Sequence, residues 1–223
     1  MNIWKRRISL LLALVLLLGT LPPAVFAEET AQSTEVTPPE VQVEHWVNPL
    51  LADEEISPVP VADDPAPGKS ISTMEEAPPL LREAMRKRQP EVSFSITVPR
   101  SECSGMAEFD KWLDAALEKA WAHTGVPTEG DYLRWQMLSY SQSLSASYDE
   151  ENWYFGVTFG FGMGTTAEQE TEMDLAVDQV LAQLDLSGSD YEKLCTIYDY
   201  ITETVRYDYA NLGNSEYRLK HTA

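Results

Sequence analysis

Histidine and cysteine are scarce in this chain: 223 residues hold 3 of the first and 2 of the second. His45, His123 and His221 are far apart, with no i, i+4 pair, and there is no Cys-x-x-Cys. The ligand spacings of common metal sites are therefore missing, and no residue is assigned a metal or cofactor role. Basic residues are few as well, 16 Lys and Arg against 36 Asp and Glu, for a formal charge of −20. Such a chain repels nucleic acid and anionic lipid, so nucleic acid is excluded as a partner and membrane contact is expected only during export. Long apolar runs are confined to the N-terminus, and no later stretch resembles a membrane span.

That N-terminal run has the anatomy of an export signal. Lys5, Arg6 and Arg7 form a basic start, and Ile8 to Leu18 is apolar except for Ser9. Gly19, Thr20, Pro22 and Pro23 break it, and Val25-Phe26-Ala27 supplies small residues at −3 and −1 of a cut before Glu28. The apolar stretch is shorter than the roughly 18–20 residues that cross a bilayer, which favours a cleaved signal over an anchor. Residues 1–27 are thus expected to be removed, and the protein to be secreted or displayed at the cell surface.

Residues 28–70 are rich in proline and acid, with Lys69 the only base. Such composition predicts a disordered linker, kept extended by proline and swollen by like charge. Within it, His45-Trp46-Val47 with Leu50-Leu51 could form a short docking motif.

Periodicity then predicts ordered elements. Residues 73–88 read as a helix with Pro78 and Pro79 near its start. Glu91 to Val98 alternates, with Val92, Phe94, Ile96 and Val98 on one face. Over 105–123, Phe109, Trp112, Leu113, Ala116, Ala120 and Trp121 make one helical stripe. Strands are expected at 133–148 and 153–162, joined by an acidic turn at 149–152. A helix follows over 166–184, with a Thr165/Glu168 capping box and a buried stripe of Met173, Val177, Val180, Leu181 and Leu184. A last helix opens on a Ser189/Glu192 capping box and runs to about Val205, with Tyr191, Leu194, Tyr198, Ile201 and Val205 in line. The class is α+β, built on a small β-α-β-β-α unit.

Candidate chemistry is sparse. Gly160, Gly162 and Gly164 lie between a strand and a helix, where phosphate can be cradled. No Lys follows them, however, and Thr165 stands where a dinucleotide fingerprint has glycine. Glycines on one strand face can instead let a neighbouring segment come close. Cys103 precedes a helix, a position that can activate a thiol, but His123 lies at the far end of that helix and cannot serve it. Cys103 and Cys195 could pair in an oxidising compartment, or Cys195 could act as a small hydrophobe. Asp110, Asp199 and Asp208 are possible acids with nothing in the sequence to pair them.

The C-terminal stretch is more specific. Ser189-Asp190-Tyr191-Glu192-Lys193-Leu194, Ile197-Tyr198-Asp199-Tyr200-Ile201, Val205-Arg206-Tyr207-Asp208-Tyr209 and His221-Thr222-Ala223 together resemble the opening of a bacterial transglutaminase-like domain. In that family this helix leads to a Gly-x-Cys-x-Gly-Tyr-Ala stretch that bears the nucleophile. A later His and Asp complete a papain-like triad. Residues 72–186 also resemble the accessory region that precedes the domain in some secreted members. Asp199, Tyr200, Tyr207 and Asp208 match positions that would pack or cap the supporting helix.

Four segments are therefore expected: a signal at 1–27 and a linker at 28–70 from their composition, and, as the resemblance implies, an accessory α+β domain at 71–186 and at 187–223 the start of a transglutaminase-like domain. Neither cysteine stands in the family's nucleophile context. The expectation is the exported N-terminal portion of a transglutaminase-like cysteine hydrolase or acyltransferase. The complete enzyme would act on amide bonds in protein or cell-wall peptide, whereas this portion has no catalytic residue and is inert. The alternative is an extracellular binding or scaffold module without catalysis.

Overall fold

The computed structural model describes residues 36–49, 56–62, 68–206, 208–211 and 214. The signal segment, Leu50, Leu51, Tyr207 and His221-Thr222-Ala223 lie outside these residues. The fold is α+β, and its order follows from the residue patterns. Strand β1 is Glu40–Val47, β2 is Lys69–Ile71, and helix α1 is Ala77–Arg86, entered through a short 3-10 turn at Met74–Glu76. Strand β3 is Glu91–Pro99, α2 is Met106–Ala120 and α3 is Asp131–Gln136. Strands β4, Met137–Tyr148, and β5, Asn152–Met163, follow. Helices α4, Ala167–Leu181, and α5, Asp190–Thr204, complete the order.

Five strands form one sheet in the order β1-β4-β5-β3-β2, antiparallel except for the β2–β3 pair. Period-two alternation decides which face is apolar. Phe94, Ile96 and Val98 of β3, Leu144 and Ala146 of β4, and Phe155, Val157, Phe159 and Phe161 of β5 are buried together. Helices α1 and α2 supply Leu81, Ala84, Met85, Phe109, Leu113 and Leu117 to the same core. The Phe109 and Phe155 rings stack at 3.8 Å between centroids. Arg82 ties the helices to each other, its Nε donating to Ala120 O at 3.0 Å and its Nη2 to Lys119 O at 2.7 Å. These carbonyls end α2 and have no partner within it.

The opposite sheet face is lined by small residues. Ser139, Ser141, Ser143 and Ser145 pair across the ladder with Gly162, Gly160, Thr158 and Gly156. Over this face runs part of the 56–62 segment. A Cβ at Gly160 would lie 2.8 Å from Val61 Cγ1 and 3.0 Å from Val59 Cγ1. A Cβ at Gly162 would lie 3.0 Å from Val59 Cγ2. The glycines are therefore there for close approach of the chain, the steric reading of their pattern, and not as a phosphate cradle.

Several expectations are corrected. Residues 28–70 are not a disordered linker over their described parts: 40–47 is an eight-residue strand and 69–71 a short one. Strand β1 alternates Val41, Val43, His45 and Val47 with Glu40, Gln42, Glu44 and Trp46, and its partner β4 meets every one of these residues. Trp46 is no free docking residue. It stacks on Tyr140 at 5.3 Å and lies 6.2 Å from Trp121. The strand expected from 133 begins at Met137, because residues 131–136 turn as a helix that buries Leu133 and Gln136. The acidic turn at 149–152 forms as expected, with Asp149 accepting from the Glu151 and Asn152 amides.

Replacing Phe155 with Ala removes the ring against which Phe109 stacks, and should cost about 3–5 kcal/mol in urea unfolding.

Candidate functional site

Helix α1 ends in a Schellman arrangement, with Gln89 N donating to Ala84 O at 2.9 Å and Arg88 N to Met85 O at 3.0 Å. The left-handed position of this motif is usually glycine, but here it is Arg88 at φ 52°. What compensates is the guanidinium. Its Nη2 lies 2.8 Å from Glu170 Oε1 as a nearly buried ion pair, and its Nε donates to Thr165 Oγ1 at 3.0 Å. Tyr132 Oη donates to Glu170 Oε2 at 2.6 Å, and Thr165 Oγ1 also donates to Glu170. Residues from the α1 terminus, α3, the β5–α4 turn and α4 thus meet at one carboxylate.

The electrostatics of this cluster are consistent with its geometry. Burial by itself would raise the Glu170 carboxyl, but donors from Thr165, Tyr132 and Arg88 outweigh it and hold the group below its usual range. Burial, and then the bond to Glu170, push Tyr132 up to about 12. The engagement of Thr165 also moves the cap of α4 by one residue. Thr166 and Gln169 form the capping box, in place of the expected Thr165 and Glu168.

Beyond this anchor the apolar faces of both C-terminal helices are open. No residue of α4 or α5 is buried. The expected buried stripe of α4 is corrected, since Met173, Val177 and Leu181 are exposed. On α5, Tyr191, Leu194 and Tyr198 are 75%, 66% and 67% exposed, and Ile201 and Val205 are exposed as well. The start of α5 is nevertheless well formed. Ser189 Oγ donates to Glu192 Oε2 at 2.7 Å, the Ser189 amide does so at 2.8 Å, and the reciprocal bond closes the expected box. Local capping and helix-compatible residues build this helix, and its apolar side has no cover among the described residues.

No family model, no curated protein and no solved structure matches this chain. The chemistry is therefore read from placement alone. Asp110 accepts from Gln142 Nε2 at 2.8 Å and ties α2 to β4. Asp208 accepts from Asn211 Nδ2 at 2.7 Å in a local turn. Asp199 is exposed on α5. These three acids, the possible catalytic groups of the sequence, lie on α2, on α5 and in the turn after it, each with its own surroundings. His45 Nδ1 lies 2.7 Å from Ser141 Oγ. This is a cross-strand pair of β1 and β4, and Ser141 is fully buried, so a substrate has no path to its hydroxyl. A groove of about 410 Å³ lies between the 74–76 turn, β3 and α2, with Met74, Val98 and Trp112 in its wall and Glu102 and Lys119 at its rim. Its lining holds neither cysteine nor histidine. Among the described residues no helix is long and apolar enough to cross a membrane.

Both cysteines are free thiols. Cys103 is buried, with its Sγ directed at Gly105 O and its carbonyl accepting from Trp153 Nε1 at 3.0 Å. Burial pushes its thiol up, opposite to what a nucleophile needs. Cys195 is half-buried on α5. The Arg88 cluster escaped sequence reasoning because its members are separated by up to 82 positions, Arg88 to Glu170. Its one local signal was a non-glycine residue where a helix ends.

Two outcomes follow from this geometry. Glu170→Ala strands the Arg88 charge and should cost about 3 kcal/mol at neutral pH. Because the Glu170 carboxyl is depressed in the fold, its contribution is present above the unfolded value near 4.3 and is lost as pH falls through the lower folded value. Urea titrations of wild type and variant should therefore converge in acid. With a chromogenic disulfide reagent, Cys195 should react quickly in the native protein and Cys103 only on unfolding, and Cys195→Ser should abolish the fast phase.

Proposed function

We propose that this chain is the exported N-terminal portion of a transglutaminase-like cysteine hydrolase or acyltransferase, in which the sheet domain belongs to a non-catalytic accessory region. Helix α5 is then the first helix of the transglutaminase-like domain. The carrying observation is the exposed stripe of Tyr191, Leu194, Tyr198, Ile201 and Val205, on the segment whose residues resemble that family. Burial of each such side chain is worth about 1.5–3 kcal/mol, so the stripe has a strong drive toward a cover.

The catalytic half would supply this cover, together with the Cys nucleophile and its His and Asp. The cysteines of the present chain support an inert role, one buried with a raised thiol and the other on a helix without a His partner among the described residues. The substrate of the complete enzyme would be an amide in protein or cell-wall peptide, met outside the cytoplasm after cleavage behind Ala27.

A second reading, an extracellular binding or scaffold module, is favoured by one observation. The core cluster runs from Ile71 to Met163 and includes no residue of α4 or α5, so the sheet domain does not need them for its interior.

The two readings separate in one experiment. Under the enzyme reading the reading frame continues past codon 223 into a Gly-x-Cys stretch, and the extended protein cleaves or transfers amides with loss of activity on Cys→Ser. The secreted product begins at Glu28, and residues 28–223 alone show no thiol-dependent activity. A continuation without Cys, His and Asp, or activity from 28–223 alone, overturns the proposal.

A further inference from the structure

Strand β2 ends at Ile71, opposite Ile96, while β3 runs on to Pro99. Past Ile71 the sheet loses its outermost strand, and the groove of about 410 Å³ lies there, bounded by the 74–76 turn, β3 and α2. Its volume falls in the roughly 300–1,000 Å³ range of small-molecule sites. Two alanines keep it open. Ala115 and Ala116 stand on α2 between Trp112 and Lys119, where longer side chains would fill the space. Buried Val98 and Ala116, with half-buried Met74 and Trp112, make the lining apolar. Ser72, Thr73 and Thr97 add hydroxyls.

Opposite charges mark its two ends. Glu102 lies in the turn before α2, and Lys119 in the last turn of that helix. Among the described residues neither side chain makes an ion pair or a hydrogen bond. Glu75 also lines the groove. Its own amide, first, and then the Thr73 hydroxyl hold its carboxyl below the usual range, and the pull of Lys119 is the smallest contribution. The Lys119 ammonium is thus not committed to Glu75. From Trp112 to Lys119 the helix rises about 10 Å, a length that about three extended residues span.

We propose that this groove binds a short peptide with free ends, about three residues long, with its ammonium at Glu102, an apolar side chain between Met74 and Trp112, and its carboxylate at Lys119. Charge selects such a ligand. The chain carries −20 and turns anions away at long range, whereas a cation without a carboxylate leaves Lys119 unpaired. A zwitterion is neutral as a whole and satisfies both ends. The hydroxyls at the mouth can bond its peptide groups. Every residue of the site belongs to the sheet domain, so the site is independent of whether a catalytic half follows.

The probes are Ala-Phe-Ala, its N-acetylated form and its C-terminal amide, titrated into the exported chain while the Trp112 indole N–H and the Lys119 amide are followed by NMR. The free tripeptide is expected to shift both resonances and to saturate in the millimolar range. Each blocked form, and each of Glu102→Gln and Lys119→Gln, should bind roughly three- to fivefold more weakly, the scale of one exposed ion pair. Losses that remove the same pair should not add: Glu102→Gln should not weaken the acetylated peptide further, nor Lys119→Gln the amide. Ala115→Trp fills the groove from an exposed helix position and should abolish binding with an unchanged melting temperature. No shift from Ala-Phe-Ala, equal affinity of free and blocked peptides, additive losses within one pair, or binding that survives Ala115→Trp overturns the inference. So does a response to a neutral sugar in place of the tripeptide.

Discussion

The fold depends on β5 being buried on both faces while it pairs on both edges. Strands β4 and β3 flank it, so its backbone is satisfied and only its side chains are left to choose partners. Phe155, Val157, Phe159 and Phe161 face the helices, where the phenylalanine rings bring large apolar surfaces into the core. Gly156, Gly160 and Gly162 face the other way with Thr158, and the lack of bulk at Gly160 and Gly162 lets Val59 and Val61 lie against the sheet. One strand thus sets both the helical layer and the close approach of the chain on the opposite side. Aromatics with glycines opposite meet these two demands at once.

Electrostatic organisation is concentrated at the boundary between the sheet domain and α4. An arginine in left-handed backbone is costly, and the ion pair and hydrogen bonds around Glu170 make it tolerable. The same carboxylate, on α4, receives contacts from three other parts of the chain, so it orients the start of α4 without an apolar interface. Past that point α4 and α5 hold their shape by capping and local bonds while their apolar sides stay uncovered.

Much of the architecture was legible from residue order. The helices at 77–86, 106–120, 167–181 and 190–204 lie within the stretches their periodicity indicated, and β3 and β5 follow their alternation. Strand β1 was not legible, because proline and acid on both sides made its composition look disordered, although Val41, Val43, His45 and Val47 alternate with Glu40, Gln42, Glu44 and Trp46. Pairing along the whole of β4 is what orders it. Residues 133–136 are helical where a strand is expected, because so short a segment with alternating apolar residues fits either period. Among the candidate site residues, the separation of Asp110, Asp199 and Asp208 could not be read from spacing, since convergence is a property of the folded chain.

By itself, the sequence determined the class, the start of α5 at its Ser189/Glu192 box, the acidic turn at 149–152 and the two-faced character of β5. These follow from short-range rules of side-chain period, capping and turn geometry, which act within a few residues. Only the tertiary structure decided that Trp46 joins the core, that Arg88 meets Glu170, that Cys103 is sealed and that the stripes of α4 and α5 stay open. Each of these depends on which distant surface arrives to bury a side chain or pair a charge, and that is settled by the packing of the sheet and its helices.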